Sequence, residues 1–293
     1  MTQSVHVRSP AKVNLFLEVI RKREDGYHDL KTVFQEIDLC DEIEVSLWDK
    51  KEIRISTNVS DIPTDSTNLA YRAAQAFLEI VGIDRGVHIR IDKKIPVAAG
   101  LGGGSSNAAA TLKALTKLFQ TDLPKDKIFQ IARQLGADVP FFLMGGTALG
   151  EGIGDQLTPL DISPSLDFLL VNPNFKVPTP RVYRALKLGE TKINLDIHRM
   201  VASLKKTNLR ELSSLLYNRL EEVVFESFPQ LGEIKEVLKR LGAEGVLLSG
   251  SGPTLFALVG SPEEGLKIQT QFHKNFSSKF WTALTKTNFT FPS

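Results

Sequence analysis

Residues 96–112 read PVAAGLGGGSSNAAATL, with four glycines within five positions and two serines directly after them. Glycine adopts positive φ angles and has no Cβ to keep a ligand away from backbone N–H groups. The alanine-rich run from Asn107 predicts a helix. The first turn of a helix carries unpaired N–H groups and the positive end of the helix dipole. A glycine loop that leads into such a helix is typical of an anion site, most often for phosphate.

The loop differs from two common nucleotide-binding motifs. It does not end in GKS or GKT, as a P-loop does. A strand is predicted before it, because Val87, Ile89 and Ile91 alternate. However, no acidic residue stands out about twenty positions on, where a dinucleotide fold places its ribose partner. This disfavours a dinucleotide-binding oxidoreductase. A glycine-rich turn that only links a strand to a helix remains the structural alternative.

The composition is that of an ordinary globular protein. The chain has 293 residues, enough for two domains, with 42% hydrophobic and 24% charged residues. A net charge of +2 argues against bulk nucleic-acid binding. Cys40 is the only cysteine, which excludes an intrachain disulfide and a cysteine-cluster metal site and fits a reducing cytoplasm. We find no signal peptide and no membrane-spanning apolar run.

The first strand predicted by alternation covers residues 4–20. Its aliphatic residues share one face, so Lys12 and Asn14 lie together on the other. On an exposed strand these two would simply be solvated, whereas near an anion site Lys12 becomes a functional candidate. Residues 32–48 predict two further strands, and Ile53 and Ile55 extend the meander.

Helical spacing and capping residues predict the other elements. A helix from Leu69 to Gly82 follows a cluster of capping residues, and helices follow behind the loop and at 125–135. Residues 143–155 predict a hairpin. The second half predicts an α+β sandwich. Its elements are a strand at 168–171, helices at 196–206, 208–226 and 229–241, two strands around 249–252, a helix at 262–276 and a strand at 280–286.

Three other short patterns contain polar groups suited to chemistry. Tyr27 and His28 follow a turn, where an aromatic ring and an imidazole can stack on a ligand and hydrogen-bond its edge. Equally, Tyr27 can be core and His28 solvated. Asp138 stands in a helix-cap position, and a cap is its simplest role. The turn at 249–252 is either structural or placed against the phosphate loop or the substrate.

Several motifs occur in the order found in one superfamily. They are PAKVNLFLEV at 10–19, GYH at 26–28, the glycine loop at 96–110, GADVPFF at 136–142, PTP-x-V-Y at 178–183 and LLSGSGPTLFALV at 247–259. With these motifs the chain resembles the GHMP kinase superfamily over nearly its whole length. Within it, the chain is most similar to the kinases that act on a cytidine-diphosphate methylerythritol.

The resemblance implies an α+β, two-domain GHMP kinase fold with a cleft between the domains. An ATP-binding N-terminal domain at 1–160 would be like the second domain of ribosomal protein S5. A C-terminal domain at 161–293 would be ferredoxin-like. The implied reaction is ATP-dependent phosphorylation of the 2-hydroxyl of the substrate, a step of the non-mevalonate isoprenoid pathway.

The resemblance also implies a role for individual residues. Lys12 and Asp138 would be catalytic, with Asp138 as the base. Asn14, Tyr27, His28, Thr179 and Tyr183 would bind the substrate, the two tyrosines stacking on the cytosine. The residues implied to bind ATP are Asn68, Lys94, Pro96, Val97, Ala98, Ala99, Gly100, Leu101, Gly102, Gly103, Gly104, Ser105 and Ser106.

No permanent metal site is expected, because Mg²⁺ would arrive with the nucleotide. The expected partners are ATP and the small-molecule substrate, without nucleic acid or membrane. A bacterial, cytoplasmic monomer or weak homodimer is expected. Two alternatives remain. A homoserine or mevalonate kinase is disfavoured by GYH and GADVPFF. A nucleotide-holding module without catalysis is disfavoured by the presence of both Lys12 and Asp138.

Overall fold

The computed structural model describes residues 3–189, 196–276 and 279–288, which form two β-sheets with helices. The strands are β1 Ser4–Lys22, β2 His28–Trp48, β3 Ile53–Thr57, β4 Gly86–Asp92, β5 Thr147–Glu151, β6 Gln156–Pro159, β7 Asp167–Asn172, β8 Tyr217–Asn218, β9 Gly245–Leu248, β10 Leu255–Val259 and β11 Trp281–Lys286. The helices are α1 Leu69–Val81, α2 Gly103–Leu118, α3 Lys125–Leu135, α4 Val139–Met144, α5 Thr179–Ala185, α6 Ile197–Lys205, α7 Leu209–Leu215, α8 Glu221–Ser227, α9 Pro229–Arg240 and α10 Pro262–Asn275.

A long antiparallel ribbon of β1 and β2 forms the centre of the first sheet. The prediction of two strands over 32–48 is wrong, because β2 is continuous. No glycine or proline occurs in it, so nothing in the sequence forces a break. The register shifts between Asn14 and Phe16, which makes Leu15 a β-bulge. A bulge bends a strand and re-aims its side chains, and this one lies beside Asn14.

The edge strand β3 does not extend the meander, so that prediction is wrong. β3 pairs in parallel with β4, which lies between it and β2. Parallel neighbours need a crossover connection, and α1 provides it. α1 begins and ends as predicted. Asn68 accepts a hydrogen bond from the N–H of Ala70, and Gly82 closes the helix in the left-handed region.

The second sheet has the strand order β11-β7-β10-β9 and is antiparallel throughout. Helices connect β7 to β9 and β10 to β11, and a short turn joins β9 to β10. This β-α-β-β-α-β arrangement is ferredoxin-like, so the predicted fold is confirmed. The predicted boundary at 160/161 falls between β6 and β7.

The predicted helix at 208–226 is wrong in one respect. It is divided into α7 and α8 by β8, which pairs in parallel with β1 of the first sheet. The Asn218 amide donates to the carbonyls of Leu248 and Gly250. Pairing across the two halves of the chain therefore overrides the local helical pattern here. Among residues 3–189, 196–276 and 279–288, no helix is both long and apolar enough for a membrane crossing.

Candidate active site

The glycine loop lies against two adjoining cavities. The larger, about 570 Å³, is bounded by the loop, the β1–β2 ribbon, Asp138, α5 and the turn at 250–252. The smaller, about 350 Å³, lies over the start of α2 and reaches Pro63 and Asn68. Gly100, Gly102 and Ser105 line both cavities, so a ligand at the loop can contact both.

Two of the loop glycines are required by their backbone geometry. Gly100 and Gly102 have φ angles of 78° and 72°. A Cβ on Gly100 would lie 2.2 Å from the carbonyl oxygen of Ser249, and one on Gly102 would lie 2.6 Å from the Phe142 ring. The loop can therefore take this course only with glycine at these positions.

The start of α2 keeps its N–H groups available. Its N-cap is Gly102, which offers no side-chain cap. The N–H groups of Gly103, Gly104 and Ser105 precede the first intrahelical bond, from the N–H of Ser106 to the carbonyl of Gly102. Neither serine caps the helix. These N–H groups and the helix dipole together have the geometry expected of an anion site.

Lys12 is placed at the junction of the loop and the larger cavity. Its backbone N–H donates to the carbonyl of Leu101. Its Nζ donates to the Asn14 side-chain oxygen at 2.6 Å and to the carbonyl of Gly100 at 3.0 Å. Only 4% of its side chain is exposed. Burial lowers the pKa of Lys12, and the charge of Asp138 opposes that shift.

Asp138 lies opposite this ammonium group, with Oδ2 3.9 Å from Lys12 Nζ and 35% of its side chain exposed. It occupies the N-cap position of α4 but makes no side-chain cap bond. The interpretation of Asp138 as only a helix cap is therefore wrong. Its carboxylate is open to the cavity, at a distance that leaves room for a hydroxyl group beside both residues.

The far end of the larger cavity is aromatic. The rings of His28 and Tyr183 lie 5.1 Å apart at an interplanar angle of 37°. Tyr27 is 60% exposed at the rim, so it is not a core residue. Burial raises the pKa of Tyr183, with Asp138 as a smaller cause, and lowers the pKa of His28, with Lys22 as a smaller cause. In each case the shift favours the neutral form of the side chain.

The turn at 249–252 packs against the glycine loop. This is the placement predicted by the interpretation that sets the turn against the phosphate loop or the substrate. The Ser249 hydroxyl donates to the carbonyl of Gly100 at 3.0 Å, and the N–H of Thr254 donates to the carbonyl of Ala99. Thr179 and Ser251 share a hydrogen bond of 2.6 Å. The second half of the chain therefore supports the loop directly.

Not every residue predicted for the ATP site faces the cavities. Leu101 is buried in the core. Ser106 is buried too and accepts a hydrogen bond from Ser9. Lys94 points outward, 3.8 Å from Glu42, and lines a separate surface hollow, together with Pro96 and Val97. Of the predicted set, these residues line the smaller cavity: Asn68, Pro96, Val97, Ala98, Ala99, Gly100, Gly102, Gly103, Gly104 and Ser105.

Sequence reasoning missed Lys93, which lines the smaller cavity where Lys94 was expected. The signal for it was present. Val87, Ile89 and Ile91 face inward, so period two places residue 93 inward and residue 94 outward. Lys93 Nζ lies 2.5 Å from the buried carboxylate of Asp41. Thr32 and Phe34, which line the larger cavity, were also missed.

No group of three or more His, Cys, Asp or Glu side chains that could hold a metal ion occurs in the described part of the chain. Asp138 is the single acidic residue that lines the two cavities. Such a sparse set suits a cation that is already held by nucleotide phosphates, as Mg²⁺ commonly is.

Comparison with known proteins agrees with this geometry. The family model for the GHMP kinases N terminal domain matches residues 68–146, and that for the GHMP kinases C terminal domain matches residues 200–278. Together they define the chain as a small-molecule kinase that uses ATP. A 4-diphosphocytidyl-2-C-methyl-D-erythritol kinase from Geobacter metallireducens is 45% identical over 89% of this chain and 92% of the relative. The chain belongs to the 4-diphosphocytidyl-2-C-methyl-D-erythritol kinase family.

Solved structures give the same result. A crystal structure of a 4-(cytidine 5'-diphospho)-2C-methyl-D-erythritol kinase matches with a TM-score of 0.83 and 36% identity, covering 97% of this chain and all of that one. A homoserine kinase from Cytophaga hutchinsonii matches with a TM-score of 0.77 at 24% identity, covering 98% of this chain and 95% of that one. The latter shares the fold alone.

Proposed function

We propose that this kinase transfers the γ-phosphoryl group of ATP to the 2-hydroxyl of 4-diphosphocytidyl-2-C-methyl-D-erythritol. The products are the 2-phosphate and ADP, and the step belongs to the non-mevalonate isoprenoid pathway. The observation that carries the proposal is the Lys12–Asp138 pair, 3.9 Å apart where the anion-binding loop meets the larger cavity. An acceptor in that cavity has its hydroxyl beside a base and a cation, and the γ-phosphoryl group at the loop.

Asp138 is the proposed general base. Its carboxylate accepts the proton of the acceptor hydroxyl as the oxygen bonds to the γ-phosphorus and the bond to the ADP oxygen breaks. An ordinary carboxylate is ionised at neutral pH, so the role needs no raised pKa. The partial exposure of Asp138 leaves it accessible to the substrate.

Lys12 is the proposed electrostatic stabiliser. Its buried ammonium group offsets the negative charge that develops on the acceptor oxygen and the transferred phosphoryl group. Charge stabilisation is stronger in a site shielded from water. The bonds from Nζ to Asn14 and Gly100 fix the ammonium group before the substrate arrives.

The glycine loop and the start of α2 hold the ATP phosphates, and the smaller cavity beside Asn68 and Lys93 holds the rest of the nucleotide. Mg²⁺ would enter with ATP, held by the phosphate oxygens, and the Ser105 side chain lines the loop beside them. Bound there, the ion would neutralise phosphate charge.

The cytosine end of the acceptor is proposed to lie among the aromatic residues. Tyr27 and Tyr183 stack on the base, and the neutral His28 hydrogen-bonds its edge. Asn14 and Thr179 contact the diphosphate or the methylerythritol. The hydroxyl of Thr179 is already held by Ser251, which fixes its orientation.

The direct test is an assay of the purified protein with ATP, Mg²⁺ and the cytidylyl acceptor, with phosphomonoester formation followed by ³¹P NMR. Homoserine and mevalonate serve as parallel acceptors. We expect phosphorylation of the cytidylyl compound alone. Bound ATP without product, or product with another acceptor only, would overturn the proposal.

We also propose that the enzyme acts in the cytoplasm of a bacterium as a monomer or weak homodimer. The bacterial source rests on the resemblance to bacterial relatives. Light scattering coupled to size-exclusion chromatography tests the oligomeric state, and a stable larger assembly would contradict it.

A further inference from the structure

A chain of three buried hydrogen bonds leads from Lys12 to the backbone of β1. Lys12 Nζ donates to Asn14 Oδ1 at 2.6 Å. Asn14 Nδ2 donates to Thr32 Oγ1 at 2.8 Å, and the Thr32 hydroxyl donates to the carbonyl of Phe16 at 2.7 Å. All three side chains are buried. The proposed function assigns Thr32 no role.

The groups at the two ends allow only one donor-to-acceptor direction for these three hydrogen bonds. An ammonium group can only donate, and a backbone carbonyl can only accept. The single proton of the Thr32 hydroxyl is used on Phe16, so its oxygen must accept from the amide nitrogen of Asn14. The amide oxygen then faces Lys12. With Thr32 lacking its hydroxyl, the buried Asn14 nitrogen would have no acceptor here, so nothing on this side would hold the amide in its present orientation.

The β-bulge helps to create this arrangement. The register shift between Asn14 and Phe16 lies opposite residues 33 and 34, immediately after Thr32 on β2. The Asn14 side chain and the Phe16 carbonyl are thereby both brought within reach of one hydroxyl group. In regular pairing, the side chain of one residue and the backbone carbonyl of the residue two positions later lie farther apart along the strand.

Among the residues that the structure describes, few charged and titratable groups surround Lys12. Asp138 faces it from α4, and His28 and Tyr183 line the same cavity from β2 and α5. Glu36 is its register partner on β2, and the Glu36 carboxylate accepts a hydrogen bond from Asn288. Asn14 is thus the side chain in direct hydrogen-bond contact with the ammonium group, and its orientation matters to the charge of Lys12.

We propose that Thr32 is a positioning residue for phosphoryl transfer, because its hydroxyl keeps the Asn14 amide oxygen turned towards the Lys12 ammonium group. The expected effect of Thr32 on turnover rests on the proposed function. The expected effect of Thr32 on the pKa of Lys12 does not depend on which acceptor the kinase uses.

The test compares Thr32→Val with Thr32→Ser. In the valine variant the charged form of Lys12 loses an acceptor, so its pKa falls further and the ammonium group is lost at lower pH. We expect the Lys12 titration, followed by ¹³C NMR of labelled lysine and assigned with Lys12→Arg, to move down by about one pH unit. The basic limb of the kcat/KM profile moves in the same direction, and kcat falls about tenfold. Thr32→Ser keeps the wild-type titration and rate.

Thr147→Val is the matched control. Thr147 is a buried threonine on β5 whose hydroxyl donates to Gln35, in the same sheet. It should leave the Lys12 titration unchanged. An unchanged titration in Thr32→Val, or equal impairment by serine and valine, would overturn the inference. A rise in the KM for the acceptor without movement of the pH profile would also overturn the inference, because it would indicate that Thr32 contacts the substrate directly. If the valine variant does not fold, Thr32→Ala carries the same expectations.

A thermodynamic cycle adds a second measurement. If Thr32 acts through Asn14, then Thr32→Val should cost less than twofold in the Asn14→Ala background. A full tenfold cost there would contradict the inference. Absence of turnover in the wild type would count against the proposed function, whereas the NMR titration would still decide the role of Thr32.

Discussion

Two buried lysines flank the glycine loop, and they are held in different ways. Lys93 makes a direct 2.5 Å contact with Asp41, whose carboxylate also accepts from the N–H groups of Lys94 and Ile95 and from the Asn107 amide. Lys12 is bonded to neutral oxygens, and its carboxylate partner Asp138 lies 3.9 Å away and partly exposed. Burial lowers the pKa of both lysines.

The difference separates a structural pair from a reactive one. The bonds of Asp41 saturate its oxygens, so that pair has little capacity left for a substrate. In the Lys12–Asp138 pair the charged groups are 3.9 Å apart, and a hydroxyl group can lie beside both of them. In both pairs the buried charge needs an opposite charge or hydrogen bonds to stabilise it. Only in the Lys12–Asp138 pair can those stabilising groups also interact with a substrate.

The largest expected effect is on the structural pair. Asp41→Asn leaves the Lys93 ammonium group buried without its counter-ion, which should lower the free energy of unfolding by about 3–5 kcal/mol. Urea denaturation measures it. Glu42→Gln is the control, because its contact with Lys94 is exposed and worth less than about 1 kcal/mol. Equal stabilities for the two variants would mean that the Lys93–Asp41 pair does not stabilise the fold.

The reactive pair should show the opposite behaviour. Asp138→Asn and Lys12→Ala are each expected to lower turnover by about two or more powers of ten, roughly 3 kcal/mol of barrier or more. Asp138→Asn should remain folded, because its side chain neither caps α4 nor is fully buried. Turnover close to wild type in either variant would contradict the assignment.

The loop between the two pairs can be tested separately. Gly100→Ala places a methyl group against the Ser249 carbonyl at a positive φ angle, and should weaken ATP binding at least about tenfold, or ~1.4 kcal/mol. Isothermal titration calorimetry measures the dissociation constant. Gly82→Ala carries a similar φ angle without a clash and lies far along α1, so its ATP affinity should match wild type. If both variants bind ATP equally, the loop does not require Gly100.

The smallest expected effect concerns the rim of the larger cavity. Tyr27→Ala removes an exposed ring, so stability should hold while the KM for the cytidylyl acceptor rises about fivefold, near 1 kcal/mol of stacking. A base-free analogue should show no such rise. Equal rises for both acceptors would mean that Tyr27 does not stack on the base.

Local chemistry in the sequence was sufficient for the loop and its helix. Four glycines and an alanine-rich run predict an anion site, and the structure has that geometry at Gly100, Gly102 and α2. Capping chemistry likewise predicts α1 from Asn68 to Gly82. These features depend on backbone conformation within a few residues, which local sequence dictates.

Elements whose position depends on long-range pairing could not be predicted from local sequence. The break between α7 and α8 at β8 arises from contact with β1, some two hundred residues earlier in the chain. The position of β3 depends on the crossover through α1. Lys94 was predicted in place of Lys93, although the period of β4 favours Lys93.

The sequence by itself determined that a phosphate loop precedes a helix and that Lys12, Asn14 and Asp138 are candidates for chemistry, and its motifs indicated the kinase superfamily. Tertiary structure alone decided that Asp138 faces Lys12, that Thr32 holds Asn14, and that the turn at 249–252 supports Gly100. The physical reason is distance along the chain. Propensity and capping act between near neighbours, whereas the charge and hydrogen-bond partners of a buried group come from segments that only folding brings together.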